Sequence, residues 1–200
     1  EILAKFDLKR VQKSGAVFNV EKLDWLNGMY LRAMKPAKLV AAATPFLEKA
    51  GLLKKNLRSF TVCQTGKNIK NKDLAKALML EQERIRHLDE LPEAIKYIFA
   101  DELAYSPAIL VWKKSTKEVA NERLKKLIGL LGSISEKDWK EQGLEDIIKK
   151  WIEENKFGNG EVLWPMRVAL TGSEASPPPF AIAAVLGKIE TLSRLNKAVK

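Results

Sequence analysis

A chain of 200 residues with 46% hydrophobic content is long enough to bury a sizeable core, as one large domain or two small ones. Lysine and arginine outnumber the acidic residues 35 to 25, a formal charge of +10; this favours a polyanionic partner through phosphate contacts and counterion release, the plain alternative being a lysine-rich surface kept for solubility. Cys63 is the only cysteine, which excludes an intramolecular disulfide and a disulfide-stapled secreted scaffold, and no apolar run is long enough to cross a bilayer, so no membrane partner and a cytoplasmic location are expected.

The chain opens on Glu1 without an initiator methionine or a leader pattern and reads as a piece of something longer. Leu23, Leu26 and Tyr30 then fall on one helical stripe with Asn19 as N-cap, weakened only by Gly28. Pro36 to Gly51 reads as a second helix with Leu39, Phe46 and Leu47 facing inward and Pro45 as a place to kink or split. No role is assigned to residues 60–72. A third helix is predicted from Leu74 to about Leu88, carrying Leu78 and Ile85, and Pro92 breaks and restarts the run with Ile95, Ile98 and Phe99 inward.

Beyond Ser106-Pro107 the pattern resumes with Val119, Leu124, Leu127, Ile128 and Leu131 and stops at Gly132. Ser135 to Asp138 reads as a capping box ahead of an amphipathic helix with Leu144, Ile147, Ile148, Trp151 and Ile152 on one face. Gly158-Asn159-Gly160 is expected to end it in a turn. Short helices follow from Pro165 to Thr171 and from Pro179 to Leu186, with a third over 188–200. Sustained period-two alternation is missing, so little or no sheet is expected and the fold class is all-α, with a subdomain junction near Phe99 to Pro107.

Reactive groups are scarce. His87 is the sole histidine and Cys63 the sole cysteine, which argues against a zinc site, and a Ser-His-acid triad would have to use a histidine on a charged helix. A glycine-rich phosphate loop is missing, and the carboxylates follow solvated helix faces. The residues describe a binding module with no catalytic residue and no metal ligand.

Three stretches carry a family resemblance. Phe6 to Arg32 is similar to the segment that follows the ATP-binding signature in bacterial-type glutamyl-tRNA synthetases; Leu163-Trp164-Pro165-Met166-Arg167 through Gly172, then Ser176-Pro177, Phe180 and Leu186-Gly187-Lys188, resembles their C-terminal end; and Gln82-Glu83-Arg84 with Leu88 and the Leu91-Pro92 break resembles the helix of their first anticodon-binding subdomain. The order and spacing agree over essentially the whole chain. The resemblance implies a multi-helix anticodon-binding cage of two helical subdomains, with 1–35 as the remnant of the tRNA stem-contact domain, 36–100 as the first subdomain and 101–200 as the second. It implies a monomer whose partner is glutamate-specific tRNA, not DNA. The family's two ATP-binding signatures, of the His-Ile-Gly-His and Lys-Met-Ser-Lys types, are missing here. The piece is therefore expected to bind no cofactor, ATP and Mg2+ belonging to the parent ligase, and to make no glutamyl-adenylate alone. A free-standing helical RNA- or protein-binding module is the alternative.

Carried over by position, Arg84 matches the arginine that reads the third anticodon base, a cytosine. A guanidinium satisfies the O2 and N3 acceptors of cytosine, whereas uracil and guanine present a donor there. Arg167 matches the arginine contacting the first anticodon base, Ser176 and Pro177 the loop around the first two bases, and Phe180 a stacking platform. Plain readings stand beside each: Arg84 in an ion network with Glu81, Glu83 and Asp89, Arg167 bracing the last helices, and Phe180 as core ahead of Ile182 and Val185. One departure bears on the loop: the family's glycine after serine-proline is Pro178 here, which fixes φ and removes an N–H donor.

Overall fold

The computed structural model describes residues 6–7, 15, 17–55, 59–63 and 68–199. Of the sequence expectations, 8–14 and 16 in the N-terminal match, 64–67 in the unassigned stretch and Lys200 lie outside the described residues.

Helix α1, Val20–Arg32, begins as its cap requires: Asn19 Oδ1 accepts the Lys22 N–H at 3.0 Å. Its apolar stripe is not core. Leu23 is 49% exposed and Tyr30 72%, with Trp25 and Leu26 also exposed, while Gly28 and Leu31 are the buried positions. Helix α2, Pro36–Lys49, starts on proline at N1, where the missing N–H costs nothing, and runs through Pro45 without splitting. Leu39 and Leu47 are fully buried, Phe46 is half-buried, and Gly51 takes the left-handed φ of +67° that ends the turn.

Three short strands follow, β1 Leu53–Lys55, β2 Ser59–Val62 and β3 Asn68–Lys70, paired antiparallel in that order with Leu53 opposite Val62 and Phe60 opposite Ile69. Three- and four-residue strands are too brief to show an alternating pattern; the unassigned 60–72 stretch holds most of β2 and all of β3. The sheet buries Leu53, Phe60 and Val62 against Leu39, Leu47, Leu74 and Leu78, inside a fold that is otherwise helical.

Helix α3, Asn71–Glu81, ends seven residues before the predicted Leu88. Residues 82–84 form a turn, and Leu88–Glu90 a short 3-10 helix in which Glu90 Oε1 accepts the His87 N–H at 2.9 Å and the Arg86 N–H at 3.2 Å. Helix α4, Leu91–Phe99, carries Pro92 in its first turn and buries Leu91, Ile95 and Tyr97. One apolar cluster runs from Leu31 to Ile95 and a second from Tyr97 to Leu195, with half-buried Ile98 packed against both.

The second cluster is built by α5 Lys117–Ser133, α6 Glu141–Glu154, α7 Asn159–Thr171, α8 Pro179–Leu186 and α9 Lys188–Ala198. The stripe of α6 does face the core, with Leu144 and Ile148 at 0% exposure and Ile152 at 3%. Two local expectations fail. Ser135 makes no backbone cap: its Oγ bonds Asp138 Oδ2 at 2.7 Å beside a 3-10 turn, and α6 starts later, at Glu141. Helix α6 ends at Glu154 and the chain turns at Lys156, whose φ is +54°, so Gly158 precedes α7 and Asn159 and Gly160 lie inside it, the helix starting six residues ahead of the predicted Pro165. Gly160 is required there because a Cβ would overlap the Trp112 indole, which packs 4.7 Å from Trp164.

Candidate nucleic-acid interface

The end of α3 places a charged group on a hydrophobic base. Glu81, the last helical residue, is 4% exposed, and its Oε2 lies 3.1 Å from Arg84 Nε across one turn. Burial pushes the Glu81 carboxyl above its usual range, opposed by the Arg84 guanidinium and then by the Tyr97 hydroxyl, which donates to Oε1 over a long 3.5 Å. Tyr97 in turn is held protonated by its own burial and by the Glu81 charge. The arginine is therefore tethered at its inner nitrogen while 41% of its side chain stays open to solvent.

Across from this turn stands the N-terminus of α8. Pro178 is its N-cap, with φ −56°, and its carbonyl accepts the Ile182 N–H at 3.2 Å. Pro179 occupies N1, so the proline run sets the entry of the helix. Trp139, which also lines the groove between these two elements, holds the helix, its Nε1 donating to Ala183 O at 2.9 Å. Between the two elements lies a groove of about 740 Å³ lined by Arg84, Lys76, Met79, Lys140, Pro177 and Pro178 among others, with the carboxylates of Glu83 and Glu141 also on its edge.

The groove brings together Arg84 and Pro177, far apart in sequence. Ser176 precedes Pro177 and is 7% exposed, its Oγ buried with no hydrogen-bond partner among the described residues. Arg167, half-buried on α7 one turn before the loop, has its Nε in the same condition. Neither residue lines the groove: both atoms are enclosed by protein, and a buried donor or acceptor left without a partner costs roughly 1–3 kcal/mol. Phe180 is corrected: at 5% exposure it belongs to the second cluster, and its ring has no free face for a base to stack on.

Other side chains escaped sequence reasoning. Met79 is 47% exposed beside the buried Leu78, a large apolar group one position off the core stripe, which is the signal that could have marked it. Lys76 and Lys140 were indistinguishable from a solvated charge run. Arg194, at 5% exposure, donates to Leu170 O at 2.7 Å and Ala100 O at 3.0 Å and pairs with Glu190, stapling α9 to the ends of α7 and α4. Among the described residues no three His, Cys, Asp or Glu side chains group as a metal site, and no helix is long and apolar enough to cross a membrane.

Comparison with known proteins places this geometry. The glutamate–tRNA ligase of Dehalococcoides mccartyi strain CBDB1 is 33% identical over 199 residues, covering 100% of this chain and 38% of that protein; that of Herpetosiphon aurantiacus is 34% identical over 198 residues, covering 99% and 38%. The chain thus spans 38% of the length of these relatives. Among solved structures, a glutamate tRNA ligase from Elizabethkingia meningosepticum in complex with its amino acid shares the fold with a TM-score of 0.73 at 23% identity, over 97% of this chain and 35% of that one. The family model described as "Anticodon binding domain" matches residues 38–199, and the chain belongs to that family.

Proposed function

We propose that this chain is the tRNA-gripping C-terminal part of a glutamate–tRNA ligase and that it holds the anticodon in the groove between the Arg84 turn and the Ser176–Pro179 wall. The observation that carries the reading is the convergence of Arg84 and Pro177-Pro178 on one groove edged by Lys76 and Lys140. Arg84, tethered through Nε to Glu81, offers its outer nitrogens to the O2 and N3 acceptors of a cytosine at the third anticodon position. Lys76 and Lys140 face the backbone phosphates, and Ser176 and Arg167 supply polar atoms for the first two bases. Residues 36–100 and 101–200 act as the two subdomains of the cage. Residues 1–35 are the stem-contact remnant, and the exposed face of Trp25, Leu26 and Tyr30 is the surface turned toward the rest of the ligase and the inside of the tRNA. Attachment of glutamate with ATP and Mg2+ belongs to the catalytic part of the parent, so this piece makes no adenylate.

The test is binding of glutamate-specific tRNA and of a variant with guanine as the third anticodon base, for wild type and Arg84→Ala. Wild type is expected to prefer cytosine by about ten- to a hundredfold, the order of one good bidentate base contact. Arg84→Ala is expected to lose that preference, and affinity to fall steeply with added salt. Equal binding of both tRNAs by wild type rejects the reading. Glutamate-dependent pyrophosphate exchange by the purified 200-residue chain would reject the assignment of adenylate formation elsewhere.

A further inference from the structure

The turn that carries Arg84 is fastened to α1 by side chains that have no place in the groove. Gln82, 8% exposed, donates from Nε2 to Leu31 O at 2.7 Å and Met34 O at 2.9 Å, with Arg32 O at 3.3 Å. The Leu31 and Arg32 carbonyls belong to the last turn of α1, that of Leu31 also accepting the Met34 N–H at 3.0 Å, and Met34 lies just past it, so one carboxamide ties the end of that helix to a turn fifty residues away. On the other side of Arg84, the Asn27 side chain donates to the Arg86 carbonyl, and His87 Nε2 lies 3.2 Å from Asp24 Oδ1. Gly28 faces the same turn: a Cβ there would stand at ordinary contact distance, 3.7 Å, from the Ile85 carbonyl. Arg84 thus sits between two attachments to one helix.

We propose that Gln82 is a positioning residue for base readout: by seating the 82–84 turn on the C-terminal carbonyls of α1 it sets the aim of the Arg84 guanidinium, so preference for the third anticodon base depends on a side chain that does not touch RNA. This rests on the anticodon reading above. A hydrogen bond that served stability alone would lower affinity for both tRNAs together, whereas a misaimed guanidinium loses the preferred base and barely alters the other.

The test measures the cytosine-to-guanine affinity ratio for the 200-residue chain in wild type, Gln82→Met, Gln82→Asn, Arg84→Ala and the double variant Gln82→Met/Arg84→Ala. Gln82→Met keeps the volume and removes the donors; its ratio is expected to fall about tenfold, the order by which small misplacement of a binding group weakens its effect. Gln82→Asn keeps the amide on a shorter stem and is expected to lie between, giving a readout even where Gln82→Met folds poorly. In the Arg84→Ala background the Gln82 substitution is expected to leave the ratio unchanged. Thr44→Val, which deletes a buried hydrogen bond of 2.7 Å to Val40 O in the same cluster, should leave the ratio at the wild-type value. An unchanged ratio in both Gln82 variants, or a further fall on top of Arg84→Ala, overturns the inference while leaving the anticodon reading standing. Loss of base preference already in wild type overturns both.

Discussion

On the Arg84 wall the buried polar groups are tied to protein: Gln82 to the end of α1, Glu81 to Arg84, and Tyr97 to Glu81. Across the groove the arrangement is reversed. Three consecutive prolines fix the backbone, while Ser176 Oγ and Arg167 Nε are buried without a partner among the described residues. The first wall holds its shape through side-chain hydrogen bonds, which single substitutions and pH can alter. The second holds its shape through covalent ring geometry and carries its polar cost openly, at roughly 1–3 kcal/mol for each unmet group. The first wall is therefore the one that substitution and pH can retune, and the second the one that stays fixed.

The largest expected effect comes from breaking the scaffold behind the second wall. Gly160→Ala drives a methyl group into the Trp112 indole, which is packed on Trp164, and the ring must move. A loss of about 1–3 kcal/mol is expected from this overpacking, visible as a lower midpoint in urea unfolding. A midpoint equal to wild type would show that the 112–164 contact does not brace α7.

A smaller effect should separate the walls by pH. Burial raises the Glu81 carboxyl, so the unfolded chain ionises at this position before the folded one does. Stability from this group is complete below the ordinary carboxylate range and declines as pH rises through the raised folded value. Glu81→Gln removes the dependence. Wild type should therefore lose stability relative to Glu81→Gln over the interval from the ordinary carboxylate range up to the raised folded value, followed by thermal unfolding. A difference that stays constant across that interval would mean that Arg84 fully offsets the burial.

The smallest effect sharpens the comparison. Pro178→Gly restores an N–H and frees the backbone at the N-cap of α8, and is expected to cost about 0.4–1 kcal/mol, chiefly through the entropy of the unfolded chain. If the proline wall binds by rigidity, tRNA affinity should drop with it; unchanged affinity would show that rigidity at Pro178 is not what the wall contributes.

How legible these features were depends on whether their cause is local. The Asn19 cap, the proline starts of α2 and α8 and the buried stripe of α6 are set by neighbours within a turn or two, and all were readable. Periodicity reported that α1 has an apolar face but not what covers it: Leu23 and Tyr30 read like Leu144 and Ile148, yet only the second pair is buried. Helix α3 was drawn too long because the apolar spacing continues to Ile85 and Leu88 while the backbone passes into a turn at 82–84, where the Gln82 side chain reaches carbonyls at the end of α1, a tertiary contact invisible to spacing. Lys156 in the left-handed region hid the break before α7, since a lysine rarely adopts that φ and the nearby glycines drew the turn to themselves. At the groove, the resemblance pointed to Arg84 and Pro177, which the fold does bring together. It could not show that Phe180 faces the core or that Met79 faces solvent, because neighbouring positions on one helix differ only in which way the bundle turns them.

The proline run has a consequence for the kind of group that can sit against it. Residues 177–179 have no amide hydrogen among them, so along that stretch the backbone offers only oxygen lone pairs, and the Pro178 carbonyl is already taken by Ile182. Such a surface repels a phosphate oxygen and accepts an exocyclic amino or ring imino hydrogen. On the anticodon reading proposed above, a strand in the groove would turn its bases toward this side and its phosphodiester chain toward Lys76 on α3.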